Sequence, residues 1–585
     1  MSSLHVDTSA SDPTANVPIE ILYYILQKTT RDAPTTEMLH MSAAALLGSL
    51  AAVAAAAAAA PFPLHILGGR PVDPYLFGWN LEQWASVLNL TFADRAGIAL
   101  ADALHPGVLR YPGGTNSNIW DTRAGRYVRP IPSAKGYSRY TEFEPWIGGQ
   151  PAGTFSGESF LKGLGGRATR VLWDLNVYSM NASEACDQIR YISALPGQQE
   201  PGVYLELGNE LDLAAQGLPR FPSSKVYAEA MVPIVACARR LMPHAKIATL
   251  GATGMSSRSQ EWERGLRPYL HLFDGVTLHD YSPGTSTVAA LPAEQRVSFV
   301  AGYSRAQLKA SIAWQRTNLG GESLALLLTE FGYGLDPSGH CMLGEQMKFG
   351  ALHGAFHASR VLAAINEPPG AVGALTFETF VFRDPGAAGR PNCPYCADDW
   401  CGMAAGTCHQ ATPNRPDLAR VSGMAQLVSH LFARALASET MHAVNTSGAP
   451  LLAAPKILGE LQPCLQAAAF GSSGGGGGGG GNMSVAVLNI CNHNILVALD
   501  TTALTDESSA AGKQQQQQSS SSSSSSTVEM TAYDLHDRGG KSALPARPDQ
   551  FPWPAPLTGV RRTEGLLPDA LTIAPLSFAI VELHF

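Results

Sequence analysis

Two glutamates stand where apolar runs of the chain end. In Tyr204-Leu205-Glu206-Leu207-Gly208-Asn209-Glu210-Leu211 an apolar run breaks at Gly-Asn-Glu, and Leu326-Leu327-Leu328-Thr329-Glu330-Phe331-Gly332-Tyr333 runs into a glycine-containing loop. Two carboxyl groups facing one cleft can divide acid and base work. Breaking a glycosidic bond through an oxocarbenium-like state needs a proton on the leaving oxygen and a carboxylate across the ring. One acid must hold its proton near neutral pH while the other stays ionised. Asn209, beside Glu210, carries an amide that can orient a sugar hydroxyl. A lone glutamate after a strand is more often a partner for Arg or Lys, but two at equivalent strand ends favour chemistry.

Such a pair needs a fold that brings strand ends from distant parts of the sequence to one rim. After Pro63, short apolar runs alternate with helix-period segments, the pattern of βα units and a parallel sheet. Strands are expected at 75–79, 108–111, 170–175, 203–207, 246–250, 275–278, 325–328 and 373–377. They fit a (β/α)8 TIM barrel over 63–436, with Glu210 after strand four and Glu330 after strand seven, on the face where barrel enzymes react. The helix expected at 224–241 places Val226, Ala230, Ile234, Cys237 and Leu241 on one side, with Ser223 or Ser224 as cap and Pro233 as a kink. Segments 347–365 and 421–436 read as the last outer helices. From 437 to 585 the pattern turns to short alternating strands at 484–488, 495–499, 528–533 and 571–583, a C-terminal β-sandwich. The Gly, Gln and Ser runs within 471–481 and 512–527 read as loop insertions.

These stretches resemble a glycoside hydrolase of the clan A barrels, most like the heparanase and β-glucuronidase family. Val171-Leu172-Trp173-Asp174-Leu175-Asn176, Leu205-Glu206-Leu207-Gly208-Asn209-Glu210, Gly275-Val276-Thr277-Leu278-His279-Asp280-Tyr281 and Leu328-Thr329-Glu330 occur in that family's order and spacing. The resemblance implies that Glu210 is the general acid/base and Glu330 the nucleophile. It also implies retention of anomeric configuration, with carboxyl groups about 5–5.5 Å apart rather than the ~6.5–9.5 Å of inverting enzymes. His279 and Tyr281 resemble the element after strand six that supports the nucleophile and lines the sugar site, while Asp280 and Ser282 depart from it. Leu109-Arg110-Tyr111-Pro112-Gly113-Gly114-Thr115-Asn116 and Phe77-Gly78-Trp79-Asn80-Leu81-Glu82 lean instead toward α-L-arabinofuranosidases, making Arg110, Asn116 and Glu82 candidate substrate contacts. Gly332 and Gly334 occupy the neighbourhood of the uronate-binding glycine loop without its full glycine run. The expected function is retaining hydrolysis of cell-wall or matrix glycans, heparanase/β-glucuronidase-like. The alternatives are an α-L-arabinofuranosidase-like activity and a noncatalytic carbohydrate-binding or wall-structural protein.

Composition narrows the partners. With 45% hydrophobic and 15% charged residues the 585-residue chain has apolar material for a large core. A net charge of -8 gives no global positive field, so nucleic acid is not expected and long sulfated polymers are disfavoured; the expected partner is an oligo- or polysaccharide substrate. There is no P-loop, no Gly-x-Ser-x-Gly elbow and no His-Glu-x-x-His, so neither a cofactor nor a catalytic metal is expected. Residues 41–60 are Ala/Leu-rich and end in small residues, like a signal peptide or a signal anchor that would tether the chain to a membrane. Translation from Met38 or Met41 would remove the polar stretch before them. Entry to the secretory pathway, toward the extracellular space, cell wall or vacuole, also agrees with the sequons at Asn89, Asn181, Asn445 and Asn482. Of nine cysteines, Cys393, Cys396, Cys401 and Cys408 are spaced for two local disulfides, with a zinc site including His409 as the rival; Cys237 reads as a small core residue.

Overall fold

The computed structural model describes residues 61–81, 91–129, 147–252, 257–281, 285–319, 324–332, 351–377, 423–452, 462–471, 482–500, 527–535, 561–566 and 570–584, less positions 94, 219, 492 and 575, together with 401–402, 407–408 and 457. The stretch 41–60, Glu82, Asn89, Gly334, Cys393, Cys396 and both low-complexity runs lie outside the described residues.

Eight parallel strands close a barrel in sequence order: Gly78–Asn80, Val108–Tyr111, Arg170–Asp174, Tyr204–Glu206, Lys246–Leu250, Gly275–Tyr281, Ala325–Gly332 and Val372–Phe377. The eighth strand meets the first through Thr376 opposite Gly78 and Phe377 opposite Trp79. All eight lie where apolar runs were expected. The first starts later than expected because Pro74–Leu76 forms a 3-10 turn, with the Asp73 carboxylate accepting from the Tyr75 amide.

Alternation along the strands builds the interior in layers. Tyr75, Val108, Leu172, Tyr204, Ala248, Leu327 and Ala374 pack together as one apolar group. Two residues further along their strands, the same inward direction is taken by Arg110, Asp174, Glu206 and Thr329, which bond to one another. A polar layer therefore lies on an apolar one inside the barrel. Strand seven breaks the alternation: its register against strand six shifts between Leu328 and Glu330. That bulge lets the successive side chains of Thr329 and Glu330 both reach the interior, where they bond Glu206 and Arg110.

The outer helix Ser224–Leu241 is capped by Ser223, which accepts from the Val226 amide, and contains Pro233. Its inward face differs from the expected one. Tyr227, Met231, Ile234, Val235 and Ala238 are buried while Val226 and Val232 are exposed, because Tyr227 and Met231 bring more apolar surface to the barrel than Val226 and Ala230. Cys237 is also corrected: it is bonded to Cys186 of the helix Ala182–Ser193, and a second disulfide joins Cys464 and Cys491. Cys401 and Cys408 stand opposite each other in a short antiparallel pair.

The β-sandwich domain is one hydrogen-bonded series of nine strands, and it does not begin at residue 437. Phe62–Pro71 belongs to it, antiparallel to Thr440–Asn445 and parallel to Ile495–Asp500. Its Leu64 and Ile66 alternate inward, so the strand before the barrel is a sandwich strand and the boundary at 63 is corrected. The sheet lies against the helix Ala351–Ile365. Asn366 donates to the Ala467 carbonyl (2.8 Å) and accepts from the Val444 amide (2.9 Å), and Ser359 donates to Gln466 (2.9 Å). Among the described residues no helix is long and apolar enough to cross a membrane.

Candidate active site

Glu210 and Glu330 meet at the C-terminal mouth of the barrel. One carboxylate oxygen of each, with a ring nitrogen of His279, forms a group whose atoms all lie within 4.8 Å of one another. His279 Nδ1 is 2.8 Å from Glu210 Oε1 and 3.3 Å from Glu330 Oε2. The Tyr281 hydroxyl donates to Glu330 Oε2 (2.7 Å) and Arg110 Nη1 donates to Glu330 Oε1 (2.8 Å). The side chain of Glu330 is 4% exposed and that of Glu210 14%, so the first lies deeper and the second nearer solvent. His279 and Tyr281 alternate inward on strand six. Asp280 between them points out to a buried ion pair with Arg360, whose guanidinium lies over the rings of Phe331 and Phe356. The departure at Asp280 is thus a pin for the strand that carries both inward side chains.

The chain makes a sharp exit from strand four to present Glu210. Gly208 has φ 89° and Glu210 itself φ 49°, a left-handed conformation unusual for a residue with a Cβ. A Cβ on Gly208 would come within 2.8 Å of Leu211 and 2.9 Å of Val177.

Arg110, fully buried, organises the floor. Its Nε donates to Glu206 (2.6 Å), Nη2 to Asp174 and to Asn209 (both 2.8 Å), and Nη1 to Glu330. Burial works against its charge, but Glu206, Asp174 and Glu330 together hold its pKa well above the usual value. Burial pushes Asp174 upward more than Arg110 pulls it down. Burial alone would lower the pKa of His279; the Glu330 charge and the hydrogen bond and charge of Glu210 outweigh it and hold the imidazole at about 9. His279 is therefore an imidazolium at neutral pH. A histidine whose pKa is raised on folding contributes stability that is full below its unfolded value of ~6.5 and is lost as pH rises through about 9. Thermal melts between pH 7 and about 10 should show a fall for the wild type that is absent from His279→Gln; parallel curves would refute the imidazolium. The Glu210, His279 and Glu330 atoms are also the one described group placed to hold a metal ion.

The structure redistributes the expected substrate contacts. Glu210, Glu330, His279, Tyr281 and Asn209 come together. Arg110 is corrected: with no exposed surface and every nitrogen engaged, it holds acids rather than sugar. Asn209 turns its Oδ1 to Arg110 and is 1% exposed, so it belongs to the floor. Asn116 accepts from Tyr127 (3.1 Å) and is buried. Gly332 ends strand seven opposite Tyr281. Asp174, Glu206, Thr329, Asn118 and Gln216 join the site beyond the residues the motifs point to. The signal was present, since Arg110, Asp174 and Glu206 are charged residues inside apolar strands and had to neutralise one another.

No family model matches the chain, and no curated protein matches it in sequence. Solved structures do match. A family 51 α-L-arabinofuranosidase from Bifidobacterium longum, AbfB, superposes with a TM-score of 0.57 at 15% identity over 89% of this chain and 100% of that one. The GH51 α-L-arabinofuranosidase from Thermotoga petrophila gives 0.56 at 12%, covering 89% and 99%. An α-L-arabinofuranosidase from Thermotoga maritima, solved as an arabinose complex, gives 0.55 at 11%, covering 89% and 100%. At these identities the likeness is one of fold: a (β/α)8 barrel with a C-terminal β-sandwich.

Proposed function

We propose that the chain is a retaining glycosidase in which Glu330 is the nucleophile and Glu210 the general acid/base, acting on α-L-arabinofuranosides of cell-wall or matrix glycans. The observation that carries the proposal is that one oxygen of each carboxylate lies within 4.8 Å of the other at the barrel mouth, a close approach of the kind a double displacement uses. Glu330 attacks the anomeric carbon while Glu210 protonates the departing oxygen; water then enters as Glu210 takes its proton, and the glycosyl ester on Glu330 is cleaved. Tyr281 and Arg110 hold separate oxygens of Glu330, leaving its attack direction little freedom.

His279 suits this cycle through its charge. For attack, the mechanism requires the negative charge on Glu330 and the transferable proton on Glu210. In the glycosyl-enzyme Glu330 is a neutral ester and Glu210 is ionised. An imidazolium within 3.3 Å of one and 2.8 Å of the other faces one anion throughout, so its electrostatic stabilisation follows the charge without rearrangement.

The preference for arabinofuranosides over the glucuronides first expected rests on the Tyr-Pro-Gly-Gly and Gly-Trp-Asn-Leu-Glu stretches and the fold shared with arabinofuranosidases. The two disulfides suit an oxidising secretory compartment, and Asn181, Asn445 and Asn482 are exposed, as glycosylation would require.

A panel of 4-nitrophenyl α-L-arabinofuranoside, β-glucuronide, β-xyloside and β-glucoside should show turnover highest on the first, and proton NMR of the initial product should show the substrate's anomer. Preference for the glucuronide would overturn the specificity, initial release of the opposite anomer the mechanism. Glycan binding without hydrolysis of any glycoside would favour a noncatalytic carbohydrate-binding protein.

A further inference from the structure

We propose that Asn118 and Gln216 are positioning residues that set the aim of the Glu210 carboxyl group, and that the loop over 211–222 is anchored to keep Gln216 in place. The inference rests on the reading of Glu210 as the general acid/base.

Glu210 occupies a backbone conformation that a residue with a side chain does not hold unaided, at φ 49°. The residue before it is gripped on both sides of its peptide units by one side chain. Asn118 Oδ1 accepts from the Asn209 amide (3.0 Å), and Asn118 Nδ2 donates to the Asn209 carbonyl (2.7 Å). Asn118 thus acts as a missing strand neighbour for the turn at 208–210. It comes from the fully buried turn Thr115–Ile119 after strand two, so the grip is applied from a different βα unit.

Gln216 completes the arrangement. Its Nε2 donates to Glu210 Oε2, the oxygen that His279 leaves free, and its Oε1 faces the amide nitrogens of Asn118 (3.4 Å) and Asn209 (3.5 Å). An amide fixed from two directions fixes the carboxyl group it donates to, because rotation of Glu210 about its terminal bond would break the contacts to Gln216 and His279 together.

The loop that carries Gln216 is built to stay. Leu213 bonds back to Glu210, and the amides of Gln216 and Gly217 bond to Leu213 in the short turn Ala214–Gly217. Arg258, from the next βα unit, spends its guanidinium on backbone carbonyls: Nε on Asp212 (2.6 Å), Nη2 on Leu211 (3.2 Å) and Phe221 (2.8 Å), and Nη1 on Pro222 (2.8 Å). One side chain reads four carbonyls of the segment that begins immediately after Glu210. A cation committed in this way stabilises a loop shape and contributes no charge to the cleft.

The role makes a prediction that a merely structural role does not. Protonation matters most for poor leaving groups and hardly at all for an aryloxide that departs unaided. Gln216→Met and Asn118→Ala should each lower kcat/KM on phenyl α-L-arabinofuranoside by roughly 10- to 100-fold, part of the ~10²–10⁴ a general acid supplies, with less than about 3-fold loss on the 2,4-dinitrophenyl glycoside. Gln216→Glu keeps the shape but replaces the donor to Glu210 Oε2 with an acceptor, so it should show the same leaving-group dependence. It also serves as the folded control where the other variants do not accumulate. Equal losses on both leaving groups, or no loss on either, would overturn the proposal. Glu210→Gln, run beside them, separates the two readings. If it shows the leaving-group dependence and the Gln216 and Asn118 variants do not, only the positioning role fails. If it does not show it, the acid/base reading itself fails.

Discussion

Glu330→Gly should lower kcat on the best aryl glycoside by at least about 10³-fold, because it removes the atom that forms the covalent intermediate and no described neighbour can take its place. Tyr281 and Arg110 touch the same carboxylate but cannot attack, and Glu210 lies on the other side of the sugar gap. The variant also leaves a space beside Tyr281 that an external anion can enter. Azide should then restore turnover of the 2,4-dinitrophenyl glycoside and yield a glycosyl azide of inverted configuration, since a single displacement replaces two. Steady-state rates with and without azide, and the configuration of the adduct by NMR, check both halves. Full activity in Glu330→Gly would place the nucleophile elsewhere.

The second large effect is on stability. Arg110→Met would strand Asp174, Glu206 and Glu330 in the barrel without their common cation. Breaking a buried ion pair by removing one partner costs about 3–5 kcal/mol, and here one removal exposes three carboxyls to each other. Arg110→Lys should recover little, because an ammonium is a point charge and cannot meet Glu206, Asp174, Asn209 and Glu330 with the geometry of a planar fork. The pH dependence has a definite sign. Asp174 already has its pKa raised by burial, and without Arg110 it is raised further. A carboxyl whose folded pKa exceeds its unfolded value contributes stability below the unfolded value and loses it as pH rises through the folded one. The deficit of Arg110→Met should therefore shrink from about pH 8 to about pH 5, as read by denaturant melts at each pH. A deficit that grows on acidification would contradict the floor described here.

How far these features were legible in the sequence follows from how each is built. The barrel strands were readable because strands buried on both faces appear as continuous apolar runs, as in 325–328 and 246–250. Glu210 and Glu330 were readable because an acid at the end of such a run is conspicuous. Arg110 is conspicuous in the sequence, but a lone Arg beside Tyr-Pro-Gly-Gly suggests a substrate contact, and only the shared inward level of Arg110, Asp174 and Glu206 shows that it balances acids. That level depends on register between strands far apart in sequence, which no local window carries. The bulge that turns Thr329 and Glu330 to the same side is hidden for the same reason. The sandwich strand Phe62–Pro71 falls inside the span the sequence assigns to the barrel, because its partner strands lie hundreds of residues away. Gln216 and Asn118 carry no motif, and their value lies in the turn they hold.

The two-carboxylate mechanism is tested most directly by trapping its intermediate. In Glu210→Ala, an activated α-L-arabinofuranoside should still glycosylate the protein, while the loss of the general base slows release. Rapid quenching, proteolysis and mass spectrometry should then find one arabinosyl residue on the peptide containing Glu330. A sugar attached at Glu206 or any other side chain, or steady turnover with no sugar attached at all, would contradict it.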